Sequence, residues 1–136
     1  MSESAPKTVD LPDIVTVRIP ASGAYLSVLR TATAGLAARL DFTLDDIEDL
    51  RIAVDEACAM LLVSALAGTD LMCEFELEGD GMRVSVSVLS RDGELPRRDT
   101  FAWTVLTALA GGVDAHADAD GHVTIDLHKR RGVTAA

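Results

Sequence analysis

Aromatic side chains make up only 4% of this 136-residue chain (three Phe, one Tyr, one Trp), so any core it builds is aliphatic. Basic residues are also scarce: 12 Lys and Arg stand against 22 Asp and Glu, a formal net charge of −10. Each phosphate contact in a nucleic-acid complex needs a cation, so direct nucleic-acid binding is disfavoured and a basic partner favoured. Cysteine is limited to Cys58 and Cys73, without CxxC spacing, which reads as two small buried hydrophobes rather than a disulfide or redox pair. No run approaches the roughly 20 apolar residues of a membrane span. The opening MSESAPKTVD lacks the basic-then-apolar order of a secretion signal, so the expected location is cytoplasmic, with no membrane partner.

Apolar residues nevertheless make up 49% of the chain, enough for the core of one domain. The longest clean helical period is residues 44–66, LDDIEDLRIAVDEACAMLLVSAL. There Leu44, Ile47, Val54, Cys58, Leu61 and Leu62 recur at three- and four-residue spacing. Thr43 with Asp46 three places on forms an approximate capping box. Asp45, Asp46, Glu48 and Asp49 set negative charge against the positive end of the helix dipole. Gly68 is placed to close the helix. Inside this apolar stretch stand two adjacent carboxylates, Asp55 and Glu56, which are costly to bury unless they are paired or used.

Around this helix the periodicity predicts β-α-α-β-β-α-β-β. A strand over 14–19 ends at Pro20, and Ser22 caps a helix over 23–40 with a Leu26, Leu29, Ala32, Leu36, Leu40 stripe. Leu71, Cys73, Phe75 and Leu77 alternate with acids. Across a Glu78-Gly79-Asp80-Gly81 turn, Met82, Val84, Val86 and Val88 alternate with Arg83, Ser85 and Ser87, which is a hairpin. The polar loop 90–98 leads to a helix over 100–110, ended by Gly111-Gly112. Strands follow over 113–117 and through Val123, Ile125 and Leu127. The expected fold is an α+β two-layer sandwich, a mostly antiparallel mixed sheet with helices on one face. It spans 11–130, between a disordered lead over 1–10 and a tail over 131–136.

The phrase LRIAVDEACAML, placed after a strand and a helix and before a hairpin, resembles the N-box helix of the histidine-kinase-like (GHKL, Bergerat-fold) ATPases. It is most similar to the RsbW/SpoIIAB type of anti-sigma factor, whose helix reads approximately LRLAVDEACTNAI. TFAWTVLTALAGGVD resembles that family's last long helix. The resemblance implies a homodimer that sequesters a sigma factor and is released by a STAS-domain anti-anti-sigma factor, which kinase-active members phosphorylate. It makes Glu56 the general base for a target serine, with Asp55 matching its neighbour. It also implies partner contacts by the first helix and the nearby sheet edge, where Tyr25 and Arg30 are interface-prone types.

The remaining boxes depart from the pattern. Where an Asn should hold magnesium, Met60 offers a soft thioether to a cation that wants hard oxygens, so no metal site is expected. The Asp-x-Gly-x-Gly box that reads adenine shrinks to Arg91-Asp92-Gly93-Glu94-Leu95-Pro96, in which Asp92 and Gly93 are the remnant. The second glycine box is replaced by Thr100-Phe101-Ala102-Trp103-Thr104, with bulk where backbone must approach phosphate. The expectation is a sequestering protein without a cofactor, leaning against an enzyme. The alternatives are a protein-serine/threonine kinase using ATP with Mg²⁺, and an unrelated α+β binding domain.

Plainer readings stand beside these. Asp55-Glu56 is also a salt-bridged helix face, with Arg51 four residues before Asp55. Trp103 is a core residue. Glu74, Glu76 and Glu78 facing Arg83 are the wet side of a sheet, and His116, His122 and His128 are strand polar residues rather than metal ligands. His128-Lys129-Arg130-Arg131 is a solubilising end.

Overall fold

The two alternating runs that meet at Gly79-Asp80 form the hairpin against which the other elements are laid. In the computed structural model, which describes residues 11–132, they are β2 (Asp70–Glu78) and β3 (Gly81–Leu89), and Gly79 turns the corner at φ 59°. Before them come β1 (Asp13–Pro20), a 3₁₀ turn over Gly23–Tyr25 capped by Ser22, α1 (Leu26–Arg39) and α2 (Leu44–Leu62). After them come α3 (Phe101–Ala110), β4 (Gly112–Ala117) and β5 (His122–Arg130). The strands form one sheet in the order β1-β2-β3-β5-β4, antiparallel at every neighbouring pair. This is the expected α+β sandwich with helices on one face. The lead over 1–10 and residues 133–136 of the tail lie outside the described residues.

Strand alternation sets the two faces. One row runs Val17, Cys73, Val86, Ile125, Ala115 across the sheet and another runs Val15, Phe75, Val84, Leu127, Val113. These rows face the helices. The opposite face carries Thr16, Glu74, Ser85, Asp126, Asp114 in one row and Ile14, Glu76, Arg83, His128, Gly112 in the next, the wet face foreseen for the glutamates. Cys58 and Cys73 are free and buried, as expected; burial pushes both thiols up, Cys58 to about 12.

The helix α2 lies between α1 and α3 and over β3 and β5. Its buried stripe is Leu50, Ala53, Val54, Ala57, Cys58 and Leu61. Leu44, expected in the stripe, is 84% exposed, because it opens the helix beyond the edge of the layer. Ala53 and Ala57 are fully buried instead, and their small side chains let flanking elements approach closely. The helix also ends at Leu62, short of residue 66, because the chain there turns to bridge Ser90 and Leu66 N–H bonds the Leu89 carbonyl. Gly68, at φ 78°, therefore belongs to the following turn and does not close the helix. In α1 the buried residues are Leu26, Leu29, Thr33 and Ala37; the Thr33 hydroxyl is satisfied by donating to the Leu29 carbonyl at 2.7 Å.

Thr43 caps α2 by accepting from Asp46 N–H at 3.1 Å, but Asp46 does not complete the box. Its Oδ2 accepts from Gly132 N–H at 3.0 Å, and Lys129 Nζ lies 3.7 Å from Oδ1. Lys129 also reaches Asp49 at 3.8 Å and donates to the Leu109 carbonyl at 2.9 Å, tying the end of α3 to the start of α2. Arg131 donates from its side chain to the Leu40 carbonyl and from its backbone to Asp80. The basic residues at and just beyond the end of β5 are thus a clasp, not a free solubilising end. Among the described residues no helix is long and apolar enough to cross a membrane.

Lys129→Met should lower unfolding free energy by about 1–3 kcal/mol, because a part-buried carbonyl and two acids lose a cation whose side chain is itself mostly buried. Denaturant midpoints at constant slope measure this; a loss below about 0.5 kcal/mol would class the contact with ordinary surface pairs.

Candidate functional site

Past its buried stripe, α2 presents Ile52, Asp55, Glu56 and Met60 toward its less covered side. Ile52 is 42% exposed and Glu56 and Met60 are half-buried. Asp55 is held by Arg30 of α1, whose Nε lies 2.9 and 2.8 Å from the two carboxylate oxygens. Arg51, the expected partner, turns back one turn to Glu48 at 2.9 Å. Because α1 lies alongside α2, the cross-helix cation reaches Asp55 more directly than the one on the same helix. The pair is half exposed, so it orients α1 on α2 more than it stabilises the fold. Among the described residues Glu56 has no ion-pair partner within 4.0 Å.

One turn on, Met60 enters the wall of a cavity of about 110 Å³. Leu61, Val88 and Val123 form its apolar side, and Ser64, Ser90, Asp92, Glu94, Leu95 and Pro96 the remainder. The structure thus brings Met60 and Asp92 to one space and leaves Gly93 outside its lining. Ser90 is the hub of the loop that closes it. Its hydroxyl donates to Asp92 Oδ1 at 2.9 Å and accepts from the Asp92 and Gly93 amides, while Gly93 takes φ 66°. Asp92 Oδ1 also accepts from Glu94 N–H at 3.0 Å. That amide and then the Ser90 hydroxyl hold the Asp92 carboxyl below its ordinary range. Arg91 fastens the loop to the end of α2, its backbone N–H on the Ser64 carbonyl and its side chain on the Val63 carbonyl. Ser90 and Ser64 were not singled out in the sequence; the signal for Ser90 was the Ser-x-Asp-Gly turn pattern.

At the start of α3, Thr100 caps by accepting from Trp103 N–H at 3.2 Å, and Phe101 stands 83% exposed. Trp103 is buried, as its core reading required, with the Arg98 guanidinium 4.7 Å from the ring centroid. Arg98 also donates to Asp114 at 2.8 Å and holds that carboxyl low.

Nucleotide sites occupy roughly 300–1,000 Å³, so this space is too small for ATP without opening of the loop. The donor set fits no better. Met60 is a thioether, Asp92 spends an oxygen within its own loop, and the first turn of α3 carries Phe101 and Trp103. Among the described residues no group of three or more His, Cys, Asp and Glu is placed to hold a metal. His116 and His122 lie 3.3 and 3.4 Å from Asp126 and Asp118 respectively.

No family model matches the chain. It is 33% identical to the anti-sigma-F factor RsbW of Mycobacterium tuberculosis over 104 residues, 76% of this chain and 62% of that protein. With the serine-protein kinase RsbW of Halalkalibacterium halodurans it shares 36% identity over 80 residues, 58% of this chain and 49% of that protein. With the serine-protein kinase RsbW of Bacillus velezensis it shares 48% over 46 residues, 34% of this chain and 29% of the relative. The matches to the first two relatives thus span about half to three-fifths of their length. In fold it is similar to the crystal structure of the RsbU and RsbW domains of an M. tuberculosis protein, with a TM-score of 0.70 at 19% identity, covering 90% of this chain and 34% of that one. In sequence and fold the chain is RsbW-like.

Because hydrogen bonds hold the Asp92, Asp114 and Asp118 carboxyls low in the folded state, each contributes stability that is present above the unfolded value of about 3.9 and lost as pH falls through the folded value. Denaturant stability should therefore fall below about pH 4, and Asp92→Asn should make that fall shallower. An identical slope in wild type and variant would contradict the assignment for Asp92.

Proposed function

We propose that this RsbW-like chain is an anti-sigma factor that works by sequestration, occluding a sigma factor without turning over ATP. The observation that carries the reading is the joint one at α2: the similarity to proteins named anti-sigma-F factor RsbW includes a helix beside which Met60 and Asp92 line a space of only about 110 Å³. A net charge of −10 suits capture of the basic, polymerase- or DNA-directed surfaces of a sigma factor, and speeds encounter more than it deepens affinity. Release is by competition from a STAS-domain anti-anti-sigma factor, and the working form is a homodimer. The surface of α1 together with Tyr25, the 46% exposed residue just before it, is the partner-facing side of the helical layer. The resident carboxylate Glu56 has no substrate to activate in this reading.

A second reading, an active protein-serine kinase, is favoured by one observation. Glu56 stands half-buried and, among the described residues, without an ion-pair partner on the helix where the resemblance puts the base, and some relatives are named serine-protein kinases. Its chemistry would be proton removal from a serine hydroxyl by Glu56 as that oxygen takes the γ-phosphoryl group of Mg-ATP, the bond to the β-phosphate oxygen breaking to release ADP.

The two readings separate in one assay. The chain is mixed with sigma factors and STAS proteins from its own genome, with and without Mg-ATP. Sequestration predicts a sigma complex and repressed transcription in both conditions, unchanged by Glu56→Ala, and no phosphate on the STAS protein. Phosphotransfer lost in Glu56→Ala would establish the kinase. Failure to bind any sigma factor would remove the anti-sigma reading.

A further inference from the structure

The strand β4 ends the sheet on the side away from β1. It pairs with β5, and among the described residues no strand pairs with its other side. Which of its backbone groups face outward follows from two bonds. Asp118 N–H donates to the His122 carbonyl at 3.0 Å and continues the β4–β5 register, so the even-numbered residues of β4 bond β5. Ala115 N–H therefore points outward, and it donates to Asp114 Oδ1 at 2.9 Å instead of to a strand. The outward set is Val113, Ala115 and Ala117. None of these is charged or a proline, and the register is unbroken, so no bulge bends the edge away. Of the devices that blunt natural edges, only the side chain of Asp114 is present.

Neighbouring charges direct that side chain. Asp126 stands directly across from Asp114 on β5, and like charges facing each other repel. Asp126 is held by the Ser85 hydroxyl and lies 3.3 Å from His116 Nδ1. Asp114, 72% exposed, is held instead by Arg98, whose Nη2 donates to the same Oδ1 at 2.8 Å. The Arg98 guanidinium sits 4.7 Å from the centroid of the buried Trp103 ring, so the cation approaches from a fixed base. One carboxylate oxygen thus ties the edge amide to a cation seated on the start of α3.

We infer that Arg98 and Asp114 are a guard on β4, and that the strand they exclude is β4 of a second copy. Without the guard, the edge can pair with itself, antiparallel about a twofold axis at Ala115. In that register Val113 faces Ala117 of the other copy, Ala115 faces itself, and every outward N–H meets a carbonyl. With the guard in place, the central amide is already used. Both copies would also bring a carboxylate and a guanidinium to the axis, where pairing would strip them of water. The inference goes beyond the anti-sigma reading and does not rest on it.

The test is the sedimentation mass of the full chain at rising concentration, compared with wild type whatever its own state of assembly. Asp114→Ala should associate further, to twice the wild-type mass or more, with unchanged circular dichroism. Arg98→Gln, which leaves the carboxylate over the amide, should act in the same direction but more weakly. Adding Ala115→Pro to Asp114→Ala removes the outward N–H, which β5 does not use, and should restore the wild-type mass. Wild-type mass for both Asp114→Ala and Arg98→Gln at every concentration overturns the guard. Association of Asp114→Ala that survives Ala115→Pro places the contact elsewhere and overturns it equally.

Discussion

The structure depends on the burial of one helix face. Leu50, Ala53, Val54, Ala57, Cys58 and Leu61 are the surface on which α1, α3, β3 and β5 converge, and most of them are completely excluded from solvent. With so few aromatic residues, the hydrophobic driving force is spread over many aliphatic contacts, each side chain contributing about 1.5–3 kcal/mol when fully buried. Such a core tolerates little change in volume, because close-packed interiors relax only partly around a cavity. It also fixes the direction of the rest of the helix. Once the stripe faces inward, Asp55 must meet Arg30, Glu56 must sit at the rim, and Met60 must line the space beneath the loop.

That space is closed by short, local chemistry. The Ser90 hydroxyl, the Asp92 carboxylate and the amides of Gly93 and Glu94 satisfy one another, and Arg91 bolts the segment to the end of α2. A nucleotide entering here would have to open these bonds and find new oxygen donors for its metal, in a wall that offers a thioether. The loop is therefore better understood as part of the scaffold. The clasp of Lys129, Arg131 and Gly132 does a related job at the opposite end of α2, where four acids would otherwise repel one another.

Much of the architecture was legible from periodicity. The strand alternation of 71–77 and 82–88, the Gly79-Asp80 corner and the order of elements follow directly from period-2 and period-3.6 patterns. What escaped were contacts between residues far apart in sequence. Pairing Asp55 with Arg51 was a local guess, and the lateral packing of α1 supplied Arg30 instead. The reach of the last basic residues to Leu40, Asp46 and Asp80 is invisible to any window of sequence. Leu44 looked like stripe because periodicity does not say where the layer stops. For the candidate site, the sequence marked Glu56, Met60 and Asp92, but the hub, Ser90, emerged only with the fold of its loop.

Titration calorimetry of ATP into the protein, with and without Mg²⁺, on wild type and on Met60→Asn, bears most directly on the claim that the pocket has become scaffold. The account predicts no binding by wild type at millimolar ATP and no rescue by Met60→Asn, because restoring one magnesium ligand leaves the loop shut. Magnesium-dependent binding by wild type would contradict it and make the closed loop a gate.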